Sequence, residues 1–151
     1  MIIVSSCLAG AKCRYNATHC LEEKIRTLVD RKQATTVCPE VLGGFSTPRE
    51  PAEIINGTGA DVLNGTAKVL SHSGKDVTEQ YIKGAYQTLA IAEEMQATAI
   101  VLKENSPSCG SRHIYDGTFS GKKIAGEGVT AALLRIKGYL VLSEEEFLRQ
   151  T

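Results

Sequence analysis

Three cysteines stand in one kind of context. Ile2-Ile3-Val4-Ser5-Ser6 runs into Cys7. Ala34-Thr35-Thr36-Val37 runs into Cys38, followed by Pro39-Glu40. Ile100-Val101-Leu102-Lys103 leads through Glu104-Asn105-Ser106-Pro107-Ser108 to Cys109-Gly110. Each is a short apolar or β-branched run emptying into a loop that presents a thiol. Three thiolates without a fourth fit a metal centre that keeps an open position. Zinc with a bound water is one form. A [4Fe–4S] cluster held by three cysteines, with one iron left for substrate, is another. Thiol or redox chemistry and plain core burial remain open from the residues alone. No C-x-x-C pair occurs, so this is neither a ferredoxin nor a zinc-ribbon pattern.

Other residues near these runs carry possible roles. Glu40, two positions past Cys38, is placed for proton transfer, for capping a helix or for an ion pair. Ser106 is placed to hydrogen-bond a substrate or to turn the chain before Pro107. Arg14, Arg49, Lys103 and Arg112 are loop or strand-end cations. Arg49 and Lys103 are the pair expected to hold substrate, and Arg112 is expected in solvent. Cys13 reads as a fourth ligand, a disulfide partner or a bystander, and Cys20 as helix packing. His19, His72 and His113 lack ligand spacing and read as surface or capping residues. Glu53 is expected to brace Arg49. Gly43-Gly44 and Gly126-x-Gly128 lack the context of a phosphate loop and are expected in turns and close packing.

The elements that must position these residues alternate. Strands are expected at 1–5, 34–38, 98–103 and 139–142. Helices are expected at 19–31 after a Thr18 cap, at 78–96 and at 128–136. The first carries Leu21, Ile25, Leu28 and Val29 on one face. The second carries Ile82, Ala85, Leu89 and Ala92, with Gly84 either a weak point or a close approach. The third carries Val129, Ala132, Leu133 and Ile136. Gly138 is expected to end that third helix. Ser143 with Glu146 is a capping box for a last helical turn. Residues 39–51 hold three prolines and two glycines and are expected to lack regular structure. Asn56-Gly57 and Asn64-Gly65 mark turns of a small β excursion in which 66–70 pairs with 52–55 or 60–63. Residues 111–123 read as loop or hairpin. The order predicts an α/β fold, a three-layer Rossmann-like domain with a mostly parallel sheet and a small β excursion. Cys7, Cys38 and Cys109 lie 31 and 71 residues apart, so only the fold can join them at the carboxyl ends of the strands.

The chain of 151 residues is expected to form one domain, residues 1–151. Seventeen basic and seventeen acidic residues cancel, Trp is absent and aromatics are 5%, which gives no basis for nucleic-acid or anionic-membrane binding. No targeting or membrane segment is visible, so a cytoplasmic location is expected. Five cysteines there argue against a disulfide framework.

Three segments together resemble the DUF523 family. They are Ser5-Ser6-Cys7-Leu8-Ala9-Gly10 through Cys13-Arg14-Tyr15; Cys38-Pro39-Glu40 through Gly43-Gly44, with Thr47-Pro48-Arg49-x-Pro51-Ala52-Glu53; and Lys103-x-x-Ser106-Pro107-Ser108-Cys109-Gly110. The resemblance covers essentially the whole chain, and some members are similar to thiouracil desulfidases. It implies a [4Fe–4S] cluster held by Cys7, Cys38 and Cys109, with the remaining iron taking sulfur from a thiolated pyrimidine. Glu40 would then move protons and Ser106 would lie beside the substrate. Where the family often has Tyr-Asp-Gly, this chain has Tyr15-Asn16-Ala17. The expected function is removal of sulfur from a 2-thiouracil-like base, a small-molecule substrate, with no electron donor if the exchange is hydrolytic. The alternatives are a zinc- or thiol-dependent enzyme and a non-enzymatic metal-binding module.

Overall fold

The computed structural model describes residues 1–13, 15, 16 and 22–150. In chain order the elements are β1 (Ile2–Ser5), a 3₁₀ turn (Ser6–Ala9), α1 (Glu23–Asp30), β2 (Ala34–Val37), α2 (Pro39–Leu42), β3 (Ala52–Ile55), α3 (Gly59–Leu63), β4 (Lys68–Ser71), α4 (Thr78–Glu94), β5 (Ala99–Leu102), β6 (His113–Tyr115), β7 (Lys123–Ala125), α5 (Val129–Ile136), β8 (Val141–Ser143) and α6 (Glu144–Arg149). The predicted Thr18 cap, the start of the first helix, and Arg14, His19, Cys20 and Leu21 lie outside the described residues.

The central sheet is parallel throughout, in the order β2-β1-β5-β8. Strands β1, β5 and β8 are apolar on both faces, as a doubly covered sheet requires. Ile3, Ile100, Leu102 and Val141 pack with Ala85 and Leu89 of α4 and Leu133 and Leu134 of α5. Their neighbours Val4, Val101 and Leu142 pack on the other side with Ile25 of α1 and Phe147 of α6. The two-residue alternation of a strand thus feeds two separate cores, giving three layers. From β1 the chain moves outward to β2, then returns to β5 on the opposite side of β1. That reversal is a topological switch point, and the crevice outside the strand ends there is where open α/β sheets bind ligands. Cys7 follows β1 and Cys109 follows β5, so two of the three thiols flank it.

Several expectations need correction. Residues 39–42 are helical: Pro39 stands in the first turn, where its missing N–H and fixed φ suit a helix start. Strand β8 begins at Val141 because the N–H groups of Gly138 and Tyr139 turn back to the carbonyls of Arg135 and Leu134 and close α5. Ile136 is 65% exposed, unlike Val129, Ala132 and Leu133. It is the last residue of α5, and no further turn covers it. The excursion pairs β3 with β4 antiparallel, Ala52 opposite Ser71. Between them α3 is held by a Thr58/Asp61 capping box that sequence reading passed over. Residues 113–125 form the β6–β7 hairpin.

Gly84 allows a close approach. A Cβ there would stand 2.1 Å from the Pro39 carbonyl oxygen, and one at Gly43 would stand 2.2 Å from that of Gln80. Helices α2 and α4 therefore touch backbone to backbone. This contact fixes the short helix that carries Glu40.

Candidate active site

A cavity of about 430 Å³ opens over the carboxyl ends of β1, β2 and β5. Cys7, Cys38 and Cys109 all line it, as do Glu40, Ser106, Arg49 and Lys103. The fold thus brings every predicted site residue to one place. It adds Cys13, which lines the same wall. Cys7, Cys13, Cys38 and Cys109 are all free thiols, with Cys7 and Cys109 buried.

The Cys109 loop is held from two sides. The Ser106 hydroxyl accepts the N–H of Ser108 at 2.9 Å and of Cys109 at 3.1 Å. The carbonyls of Pro107, Ser108 and Gly110 accept N–H groups at the start of α5, from Val129, Thr130 and Gly128. Those first-turn donors have no partner within their own helix, so α5 and the loop satisfy each other. The Ser108 and Thr130 hydroxyls meet at 2.7 Å beneath. Gly128 permits the contact, since a Cβ there would lie 2.6 Å from the Ser108 carbonyl oxygen. Close packing is the role expected of this glycine.

Glu40 is held by three side chains. Its Oε2 accepts from Tyr81 at 3.0 Å and faces the Arg49 guanidinium at 3.2 Å. Its Oε1 accepts from the Ser106 hydroxyl at 3.4 Å. Both charged side chains are nearly covered, Arg49 at 7% and Glu40 at 15% exposure. Arg49 also reaches the Ser46 carbonyl and the Thr47 hydroxyl. Tyr81 was missed in the sequence. Its signal was a phenol on the small-residue face of α4, with Gly84, Ala85 and Thr88, where a buried hydroxyl must find a partner.

The remaining expectations divide. Lys103 is paired with Glu144 at 3.4 Å. Glu53 does not brace Arg49; it accepts the N–H groups of Gly117 and Phe119, and both Glu53 and Phe119 line the cavity. Arg112 and His113 are exposed. His72 is exposed too, but its ring packs against Phe119 with centroids 5.3 Å apart.

Burial and neighbouring groups favour the neutral form of Cys13, Cys38 and Cys109. A hydrogen bond with Cys38 lowers the Cys13 pKa, but Cys7 and burial outweigh it and keep it at about 11. Cys38 is raised by its bond to Cys13 and by burial. Burial raises Cys109, and the charges of Glu40 and Cys38 add to it. Thiolates crowded in this way need a compensating cation, and a coordinating metal deprotonates a thiol outright. Among the described residues, however, no three Cys, His, Asp or Glu side chains converge as donors to one metal ion. Zinc with Zn–S of about 2.3 Å would draw its sulfurs to within about 4 Å of each other. A four-iron cluster spreads three thiolates over separate corners. The donor set on this wall is all soft sulfur, which suits zinc and iron–sulfur centres alike.

Glu104, which lines the same cavity, orders the loop that follows Cys109. Its Oε1 accepts from the N–H groups of Asn105, Ser111, Arg112 and His113, and Oε2 from the Ser111 hydroxyl at 3.0 Å. Burial raises this carboxyl, but the hydrogen bonds outweigh it and hold it below the ordinary glutamate value. A depressed carboxyl stabilises the fold above its unfolded pKa, about 4.3, and the contribution is lost as pH falls through the folded value. Glu104→Gln turns an amide NH₂ toward these donors and is expected to cost about 1–3 kcal/mol at neutral pH. Urea titrations from pH 7 to pH 3 should show the gap from wild type closing on the acid side. A gap independent of pH would remove this role.

A family model described as 2-thiouracil desulfurase matches residues 2–146. The uncharacterized protein YbbK of Bacillus subtilis (strain 168) is 68% identical over 146 residues, covering 97% of each chain. Among solved structures, a [4Fe–4S]-dependent thiouracil desulfidase, TudS, superposes with a TM-score of 0.86 at 39% identity, covering 98% of this chain and 93% of that one. Among the described residues, no helix is long and apolar enough to cross a membrane.

Proposed function

The chain belongs to the 2-thiouracil desulfurase family, and we propose that it exchanges the sulfur of a thiolated pyrimidine for oxygen at the cavity described above. The observation that carries this is the meeting of Cys7, Cys38 and Cys109 with the Glu40–Ser106 pair in one cavity. The atoms balance with water alone. A C–S bond breaks, a C–O bond forms, and 2-thiouracil plus water gives uracil plus hydrogen sulfide with no change in electron count.

Cys7, Cys38 and Cys109 would hold a [4Fe–4S] cluster, which supplies a soft, sulfur-accepting iron with an open position when bound. The protein's own groups handle the protons. Glu40 is the base that takes a proton from the attacking water and returns one to the departing sulfur. Tyr81 and Arg49 occupy Oε2, so Oε1 is the oxygen turned toward Ser106. Arg49 acts here by orienting Glu40. Lys103 carries three donors, of which Glu144 engages one, and is assigned to the exocyclic carbonyl oxygen of the substrate. The buried Cys109 loop, fixed on α5, keeps its ligand in place as substrate enters. The free thiols of Cys7, Cys13, Cys38 and Cys109 suit a reducing cytoplasm.

Protein purified without oxygen should be brown, hold about four irons per chain, and release sulfide and uracil in equal amounts from 2-thiouracil. A colourless zinc protein with the same activity would overturn the cluster assignment. A cluster-loaded protein that releases no sulfide would overturn the reaction.

A further inference from the structure

We propose that Phe119, backed by His72, is the wall on which the substrate ring stacks, and that it selects a planar aromatic pyrimidine over a saturated, puckered one. This rests on the substrate class proposed above.

The chain has five tyrosines and three phenylalanines, and four of these eight, Tyr15, Tyr81, Tyr115 and Phe119, line the one cavity. Tyr81 is committed elsewhere, its hydroxyl to Glu40 and its ring to Phe45 at 5.1 Å. Phe119 has no polar atom to commit, yet it sits where the backbone resists it. Its φ is +56°, in the left-handed region that favours Gly, Asn and Asp. The same loop has Gly117 at +91° and Gly121 at +82°, so small residues take its other left-handed positions. The side chain at 119 is therefore there for what it contacts.

The fold holds it in place. Glu53, buried on β3, accepts the N–H of Phe119 at 3.2 Å and of Gly117 at 2.9 Å. His72, just past β4, meets the Phe119 ring at 5.3 Å and 69°. The β3–β4 excursion and the β6–β7 hairpin thus join at this one ring, on the cavity that the cysteines and Glu40 also line. Stacking uses the face of a heterocycle and leaves its edge free. The edge carries the C–S bond, which must meet the cysteine wall, and the hydrogen-bonding groups that Lys103 and Ser106 would read.

The test is equilibrium binding to the cluster-loaded protein by calorimetry, with uracil and 5,6-dihydrouracil as probes. They share the C2–N3–C4 edge and differ in planarity and aromaticity. Wild type and Phe119→Tyr should favour uracil by about tenfold or more, the range of base–aromatic stacking. Phe119→Leu, which keeps apolar bulk, should bind the two alike while its cluster absorbance is unchanged. Phe119→Ala gives the same comparison if leucine disturbs the loop. A preference that survives both substitutions, or none in wild type, overturns the proposal. Turnover of 2-thiouracil by wild type is scored separately. If turnover is present and Phe119→Leu keeps the uracil preference, only the stacking wall falls. If turnover is absent and the preference depends on Phe119, the wall stands as a planar-ring subsite and the reaction falls.

Discussion

Serine at Cys7, Cys38 or Cys109 is expected to abolish cluster absorbance and sulfide release together, while Cys13→Ser keeps both. A serine hydroxyl is a hard donor with little affinity for iron in a sulfur-ligated cluster. The Cys109 N–H is tied to Ser106 and the loop around it is docked on α5, so the backbone there is held and a serine would stand where the thiol stood. Cys13 is the informative control, because its thiol interacts with those of both Cys7 and Cys38. Iron per chain and the visible absorbance of anaerobic protein are the measurements. If Cys13→Ser also loses the cluster, four thiolates close the centre. The open iron position, and with it the sulfur-accepting role, would be wrong.

Glu40→Gln is expected to keep the cluster and the fold but to lower kcat by about 10²–10⁴, the usual range for a general acid–base residue. That corresponds to about 3–5 kcal/mol of barrier. The amide retains the size of the carboxylate, and its oxygen can still accept from Tyr81, so packing against α4 should survive. What is lost is the capacity to take a proton. Tyr81→Phe supplies the contrast. It removes one donor to Oε2 and leaves the carboxylate with Arg49 and Ser106, so its loss of kcat should be smaller. Steady-state kinetics and the absorbance of each variant decide the matter. Turnover by Glu40→Gln equal to wild type would remove its proton-transfer role, whatever happened to the cluster.

Much of this site was legible because its parts are local patterns. β-branched runs ending in Cys7, Cys38 and Cys109 marked buried strands and the loops after them. Ser143 and Glu146 announced a capping box, which the structure contains. The four-residue helix Pro39–Leu42 was not legible, because its stability comes from backbone contact with α4 through Gly43 and Gly84 rather than from its own length. The end of α5 was read correctly, but the inward placement of its last residue, Ile136, was not, for a related reason. Periodicity marks a face, but not where the layer beneath it stops, and Ile136 lies past that point.

The sequence by itself determined the thiol-bearing strand ends, the carboxylate beside Cys38 and the alternation of strands and helices, all set by neighbours within a few residues. Strand order was decided only in the tertiary structure. Placing β5 beside β1 on the side opposite β2 puts Cys7 and Cys109 across a switch point. The same packing sets Tyr81 against Glu40 and brings Phe119 to the cavity that the cysteines line. These contacts join residues tens of positions apart, and no local pattern encodes which distant surfaces will bury each other.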